Sequence, residues 1–265
     1  MKFRLIKTNL STIQKICLSG LFMALITVLQ KVVAINYLAF APFVRVSLGG
    51  PALIIFASIL LGPVYGLFIG ACSDLLGYLV FDIKAFPFYP QITAIYALLG
   101  FASYFVFSFV FSIKNRKAMQ IIEIAFLFVV WAVIASFMIV NKEIRLFSSI
   151  YELTILSKVL VCSISAFIFA GIILFSNLYK PKHESVYASS LHICFASFIC
   201  DFFILVIFGS VMKAWAFGFA TFLAIIICQA LVMFFNVLID TLFITAFQNF
   251  TKKYYVEKEY VRREE

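Results

Sequence analysis

The chain has 265 residues, of which 65% are hydrophobic and 12% charged, with a mean hydropathy of +1.11 and a net charge of +9. A soluble domain carries roughly 25% charged residues and buries at most about 75% of its surface on folding, so these figures exclude a soluble globular protein. With acyl chains as solvent and about 20 residues per span, there is room for at most about ten transmembrane helices. The 21 Lys and Arg residues lie between the apolar runs and not along one face. They read as topology signals and contacts to membrane lipid head groups, and no nucleic-acid partner is implied.

Eight apolar segments follow in chain order, at about 16–36, 49–61, 64–81, 92–112, 121–140, 155–177, 188–209 and 216–247. None alternates in the manner of barrel strands. The expected fold class is therefore all-α, a polytopic transmembrane helical bundle. The first segment, from Ile16 to about Ile35, is longer than the 7–15 residue core of a signal peptide, so it reads as an uncleaved span despite Ala39-Phe40-Ala41. With the N-terminus inside and spans alternating, fourteen basic residues fall on inner segments and five (Arg45, Lys84, Lys142, Arg145 and Lys213) on outer ones. Lys31 and Lys158 lie within spans. This bias predicts that both termini are cytoplasmic.

On the first span Gly20 and Ala24 stand four apart, a small-xxx-small step that admits close helix approach. It serves either packing inside the bundle or docking against a partner subunit. Arg45 precedes Gly49-Gly50-Pro51, which opens the second segment. It is either an interfacial anchor or a cationic clamp for an anionic ligand. Leu61-Gly62-Pro63 stops one helix and starts the next. In the third segment Asp74 sits near mid-span, where a carboxylate costs about 2.5–3.5 kcal/mol and must face a partner or a polar cavity. The loop from Phe81 to Gln91 holds Lys84, Phe86, Tyr89 and Gln91 between aromatics and prolines, forming either an interfacial belt or a stacking lid for an aromatic ligand. Gln229 and Asn236, seven apart, share a helix face, with Asp201 and Asp240 nearby in sequence.

Neither a cofactor nor a metal ion is implied. The six cysteines lie in apolar runs without a CxxC, and the only histidines are His183 and His192. There is no Walker A sequence, no HExxH and no GxSxG. No catalytic residues are predicted, and uphill transport would use an ion gradient or a separate ATPase.

The run from Phe43-Val-Arg45-Val-Ser through Gly62-Pro63, Gly66, Gly70, Asp74-Leu-Leu-Gly77 and Phe86-Pro-Phe-Tyr-Pro90-Gln-Ile-Thr93 to Gly100 resembles the substrate-binding S components of energy-coupling factor (ECF) vitamin transporters, in particular the folate-type branch. The resemblance is clear over roughly 15–112. It implies a six-helix core to which 116–186 adds a two-span insertion, eight spans in all, within one transmembrane domain of residues 1–265. It further implies a substrate-binding subunit, not an enzyme, in a bacterial cytoplasmic membrane. That subunit captures a vitamin-like small molecule from outside, folate-like by preference, and works with a coupling transmembrane protein and two ABC ATPases. Arg45, Asp74, Lys84, Phe86, Tyr89, Gln91, Gln229 and Asn236 are the expected substrate-binding residues, and Gly20 and Ala24 the contact to the partner helix. The alternative is an autonomous secondary transporter of a small anionic or aromatic solute, with Asp74, Asp201 or Asp240 titrating during transport.

Overall fold

The computed structural model of the protein describes residues 10–33, 49–82, 87–113, 115–141, 143–146, 149–178, 190–217, 222, 225–226, 229–230 and 232–247. Helix α1 (Thr12–Lys31) starts at a capping box. Ser11 Oγ accepts from the Gln14 amide at 3.3 Å, and Gln14 Oε1 accepts from the Ser11 amide at 2.9 Å. Two N-terminal donors that lipid could not satisfy are thereby closed.

Helix α2 (Gly50–Leu61) is bounded by two glycines at positive φ, Gly49 at 87° and Gly62 at 105°, a region that other residues enter only under strain. Pro51 sits in its first turn, and Pro63 begins α3 (Pro63–Gly77), so the Gly62-Pro63 break predicted from sequence is present. All twelve residues of α2 are buried. They pack against α1, α3 and α4 (Pro90–Ser112). At 1.5 Å per residue the helix is about 18 Å long, well short of the ~30 Å hydrocarbon layer.

Helix α3 runs on through a π-helical turn, Tyr78–Asp82. It meets α4 along a seam of glycines. A Cβ at Gly66 would strike the Gly100 carbonyl oxygen, and one at Gly70 the Tyr96 carbonyl oxygen. Without side chains there, the two backbones touch. Asp74 is on the same seam, and its Oδ2 accepts from Thr93 Oγ1 at 2.7 Å.

After Asn115, whose side chain accepts from the Lys117 and Ala118 amides, α5 (Arg116–Val140) and α6 (Ile155–Leu178) form a pair. Trp131 Nε1 donates to the Cys162 carbonyl at 3.2 Å, and Lys158 Nζ to the Ile139 carbonyl at 3.3 Å. Between them β1 (Glu143–Leu146) and β2 (Ser149–Glu152) pair antiparallel, Glu143 opposite Glu152. This hairpin is absent from the all-α expectation. The alternation of Ile144 and Leu146 with charged neighbours is its signal, too short to rise above the flanking helices.

Helix α7 (Ser190–Cys200), a π-helical stretch (Asp201–Phe208) and α8 (Gly209–Phe217) run consecutively. The seventh apolar segment therefore extends past 209, and Lys213, expected in an outer loop, lies within a helix. Helix α9 (Val232–Phe247) follows. Among the described residues six helices are long and apolar enough to cross a membrane: Thr12–Lys31, Pro63–Asp82, Pro90–Ser112, Lys117–Val140, Ile155–Phe175 and Leu191–Ala216. Gly50–Leu61 and Val232–Phe247 are shorter apolar helices. Together they account for the eight apolar segments and give the polytopic helical bundle predicted. One core cluster surrounds α2. A second joins Leu127 and Val130 of α5 and Phe169 and Ile172 of α6 to Phe198 of α7 and Phe234 of α9.

Two glycine substitutions separate seam from surface. Gly66→Leu forces α3 and α4 apart and lowers stability by at least about 1–3 kcal/mol, the usual cost of overpacking. Gly20→Leu, at a position with nothing within 4 Å of its Cβ direction, leaves the thermal midpoint in detergent unchanged. The two midpoints check both statements.

Candidate functional site

Two polar groupings converge within the bundle. The first is at the end where α1 finishes, α3 leaves by its π-helical turn and α4 begins. Lys31, in the last turn of α1, meets Asp82 Oδ2 at 2.5 Å. Its stem lies where a Cβ on Gly77 would stand. The lysine is 6% exposed and the aspartate 19%, so the pair is shielded from solvent screening. It fixes the distance between the ends of α1 and α3, from which the 34–48 and 83–86 segments depart. Next to it the Tyr78 and Phe88 rings lie 5.1 Å apart. Tyr89 is the extended N-cap of α4, and Gln91 Oε1 is buried without a hydrogen-bond partner among the described residues.

The second grouping follows from the π-helical stretch. A π-turn leaves carbonyls outside the ordinary ladder, and Gln229 takes one of them. In the amide orientation that satisfies both ends, its nitrogen donates to the Leu205 carbonyl and its oxygen accepts from Lys213 Nζ at 3.1 Å. Gly209 leaves room for this, since a Cβ there would lie 3.3 Å from the Gln229 amide. Gln229 and Asn236 are both buried, as their shared face requires, and Asn236 Oδ1 has no hydrogen-bond partner among the described residues.

Of the substrate-binding residues expected from sequence, the structure thus places Tyr89 and Gln91 near one end, and Gln229 and Asn236 in the interior. Asp74 has the Thr93 hydroxyl as a structural partner, one of the roles a mid-span carboxylate was expected to have. Arg45, Lys84 and Phe86 lie outside the described residues. Gly20 and Ala24 are on the outward face of α1. Sequence reasoning missed Gln30 and the pairing of Lys31 with Asp82. A lysine at the end of one span and an aspartate at the end of another was the available signal.

Apolar outer faces, a buried polar interior and at least six membrane-length helices define a multi-pass helical membrane protein. A family model described as ECF-type riboflavin transporter, S component, matches residues 10–183, about two thirds of the chain. The protein belongs to this family, whose members are non-enzymatic substrate-binding components of transport systems. The match runs through α5 and α6 and stops before α7, so it does not by itself mark 116–186 as an insertion. No curated protein matches the chain, and no solved structure does.

Breaking the Lys31–Asp82 pair from one side leaves a shielded charge without its counter-charge. Lys31→Met and Asp82→Leu are each expected to lower the thermal midpoint more than the double substitution does, measured as a double-mutant cycle. Thr93→Val removes the hydrogen bond to the buried Asp74 carboxyl and costs about 1–3 kcal/mol in the same assay.

Proposed function

We propose that the protein captures an aromatic vitamin from the outer face of a bacterial cytoplasmic membrane, with a flavin ranking ahead of a folate. Family membership carries the reading, because the matched family is described by riboflavin. The chemistry of the interior favours the same order. Asp201, Asp240 and Asn236 contribute buried oxygens without hydrogen-bond partners among the described residues, and they call for donors. Riboflavin is uncharged, with an imide N–H and ribityl hydroxyls to donate. Folate brings two carboxylates, which accept hydrogen bonds and cannot donate to those oxygens. The folate-like preference read from sequence therefore becomes the second choice. The segments near 37–47 and 82–92 close over the ligand, and Arg45, Lys84, Phe86, Tyr89 and Gln91 supply its contacts there.

Release requires partners of the kind ECF S components use, a transmembrane coupling protein and ATPases, two of the latter in the full assembly. The outward Gly20 and Ala24 on α1 suit the coupling-protein contact, because two backbones approach closely only over small residues. Both termini lie inside, and residues 116–186 add two spans to a six-helix core.

Titration of the purified protein with riboflavin, read by quenching of flavin fluorescence, should saturate at one ligand per chain with an affinity of micromolar or better. Binding of folate and not riboflavin would reverse the order, and binding of neither would remove the vitamin reading. Gly20→Leu is expected to keep ligand binding while losing co-purification with the coupling protein. Uptake that runs without any ATPase and collapses with a protonophore would make the protein an autonomous transporter instead.

A further inference from the structure

Glycine stands at both positions that open α2, and the second is not there for its backbone angles. Gly49 needs to be glycine, with φ at 87°, but Gly50 is helical and has no positive φ. What glycine gives at 50 is space. A Cβ there would strike the Cγ of Gln30 and lie 3.2 Å from its Nε2. A Cβ on Gly49 would lie 3.0 Å from the ring of Phe243 on α9. The opening turn of α2 is thus held between an amide from α1 and an aromatic ring from α9. Gln30 is 2% exposed, and neither its Oε1 nor its Nε2 has a hydrogen-bond partner among the described residues. Its neighbour Lys31 turns to Gly77 and closes on Asp82, whereas Gln30 turns to α2. The end of α2 that it faces has no side-chain cap, and the leading amides of a helix point beyond its end.

A buried amide with neither end met is destabilising, and a methionine would fill the same space without that penalty. A primary amide presents one acceptor and one donor in a single plane. Its complement is a planar N–H beside a C=O, which is the edge of a cyclic imide. Gln30 stands at the end of α1 from which 34–48 departs, the end where the vitamin reading closes the ligand in. We propose, resting on that reading, that Gln30 is a specificity-determining residue for the flavin. Its Oε1 accepts from the imide N–H and its Nε2 donates to an adjacent imide carbonyl, beside the opening turn of α2. A carboxylate or phosphate meets only half of this pair, because it has no N–H to give. The ribityl hydroxyls are left for Asp240, one turn from Phe243 on the same face of α9.

The full chain, purified in detergent, is titrated with riboflavin and with its imide-methylated derivative, in which a methyl group replaces the imide hydrogen. Both are read by quenching of flavin fluorescence. Wild type is expected to bind the methylated flavin more than about tenfold more weakly, since a site built around a substrate N–H rejects the analogue lacking it. Gln30→Met is expected to bind riboflavin more than about tenfold more weakly and to hold the two flavins within about twofold of each other. Its unfolding midpoint without ligand does not fall, because the lost amide had no protein partner. A glutamine that served only the fold would lower that midpoint and leave riboflavin affinity unchanged. Should Gln30→Met fail to fold, Gln30→Asn, one methylene shorter, takes its place in the same comparison. Unchanged riboflavin affinity in the variant, the wild-type preference retained in it, or equal affinity of wild type for both flavins overturns the assignment and leaves flavin capture standing. Wild type that binds neither flavin overturns both together.

Discussion

Helix α2 is twelve residues long, every one of them buried, and about 18 Å cannot reach across ~30 Å of hydrocarbon. Lipid offers no hydrogen-bond partners, so the ends of such a helix must be satisfied by protein. This requirement organises the bundle. The glycines at 49 and 62 let the chain turn sharply at both ends. The helices around α2 carry the side chains that face those ends, including Gln30 from α1 and Asp240 from α9. Phe22 and Phe247 close on Phe56 from two sides, at 6.0 and 5.3 Å between ring centroids. The α3–α4 glycine seam then brings two full-length helices into backbone contact beside α2, and Asp74–Thr93 crosslinks them.

The same economy of polar groups links fold to function. Two polar groups of the interior are closed within the protein, Lys31 by Asp82 and the neutral Gln229 amide by the Leu205 carbonyl. Sites that bind small molecules inside membranes are built from such irregular backbone, which survives in hydrocarbon only where it faces protein or a cavity. The π-helical stretch at Asp201–Phe208 is of this kind. The division of labour in an ECF system also fits a chain without a nucleotide-binding motif, because S components work with separate ATPases. Capture is left to the S component, and α1 presents a smooth outer face at Gly20 and Ala24.

Much of the architecture was legible in the sequence because the bilayer imposes one strong signal, hydrophobic length. Each of the eight apolar segments holds a helix among the described residues, and Gly62-Pro63 marked a break because those two residues have few other uses. Asp74 was correctly expected to need a partner, but nothing in a linear sequence names Thr93 as the one. The π-helical stretches were illegible, since their residues are as apolar as those of an α-helix and differ only in hydrogen-bond register. Lys213 was assigned to a loop because a charge near the end of an apolar run looks like a loop residue until a buried acceptor, here Gln229, is seen to receive it. Gln30 went unnoticed because one amide in a long apolar helix has no periodic signature. The family resemblance reached further than periodicity did. It identified an S component from ordered glycines and prolines, while its folate-type shading rested on aromatic and basic loop residues that many ligands would suit.

The most direct measurement is mass spectrometry of small molecules released from protein purified gently from its membrane, without added ligand. The account predicts a vitamin bearing a fused aromatic ring system, in stoichiometric amount, riboflavin before folate. Protein that is folded, empty, and remains empty after incubation with a panel of vitamins would contradict it.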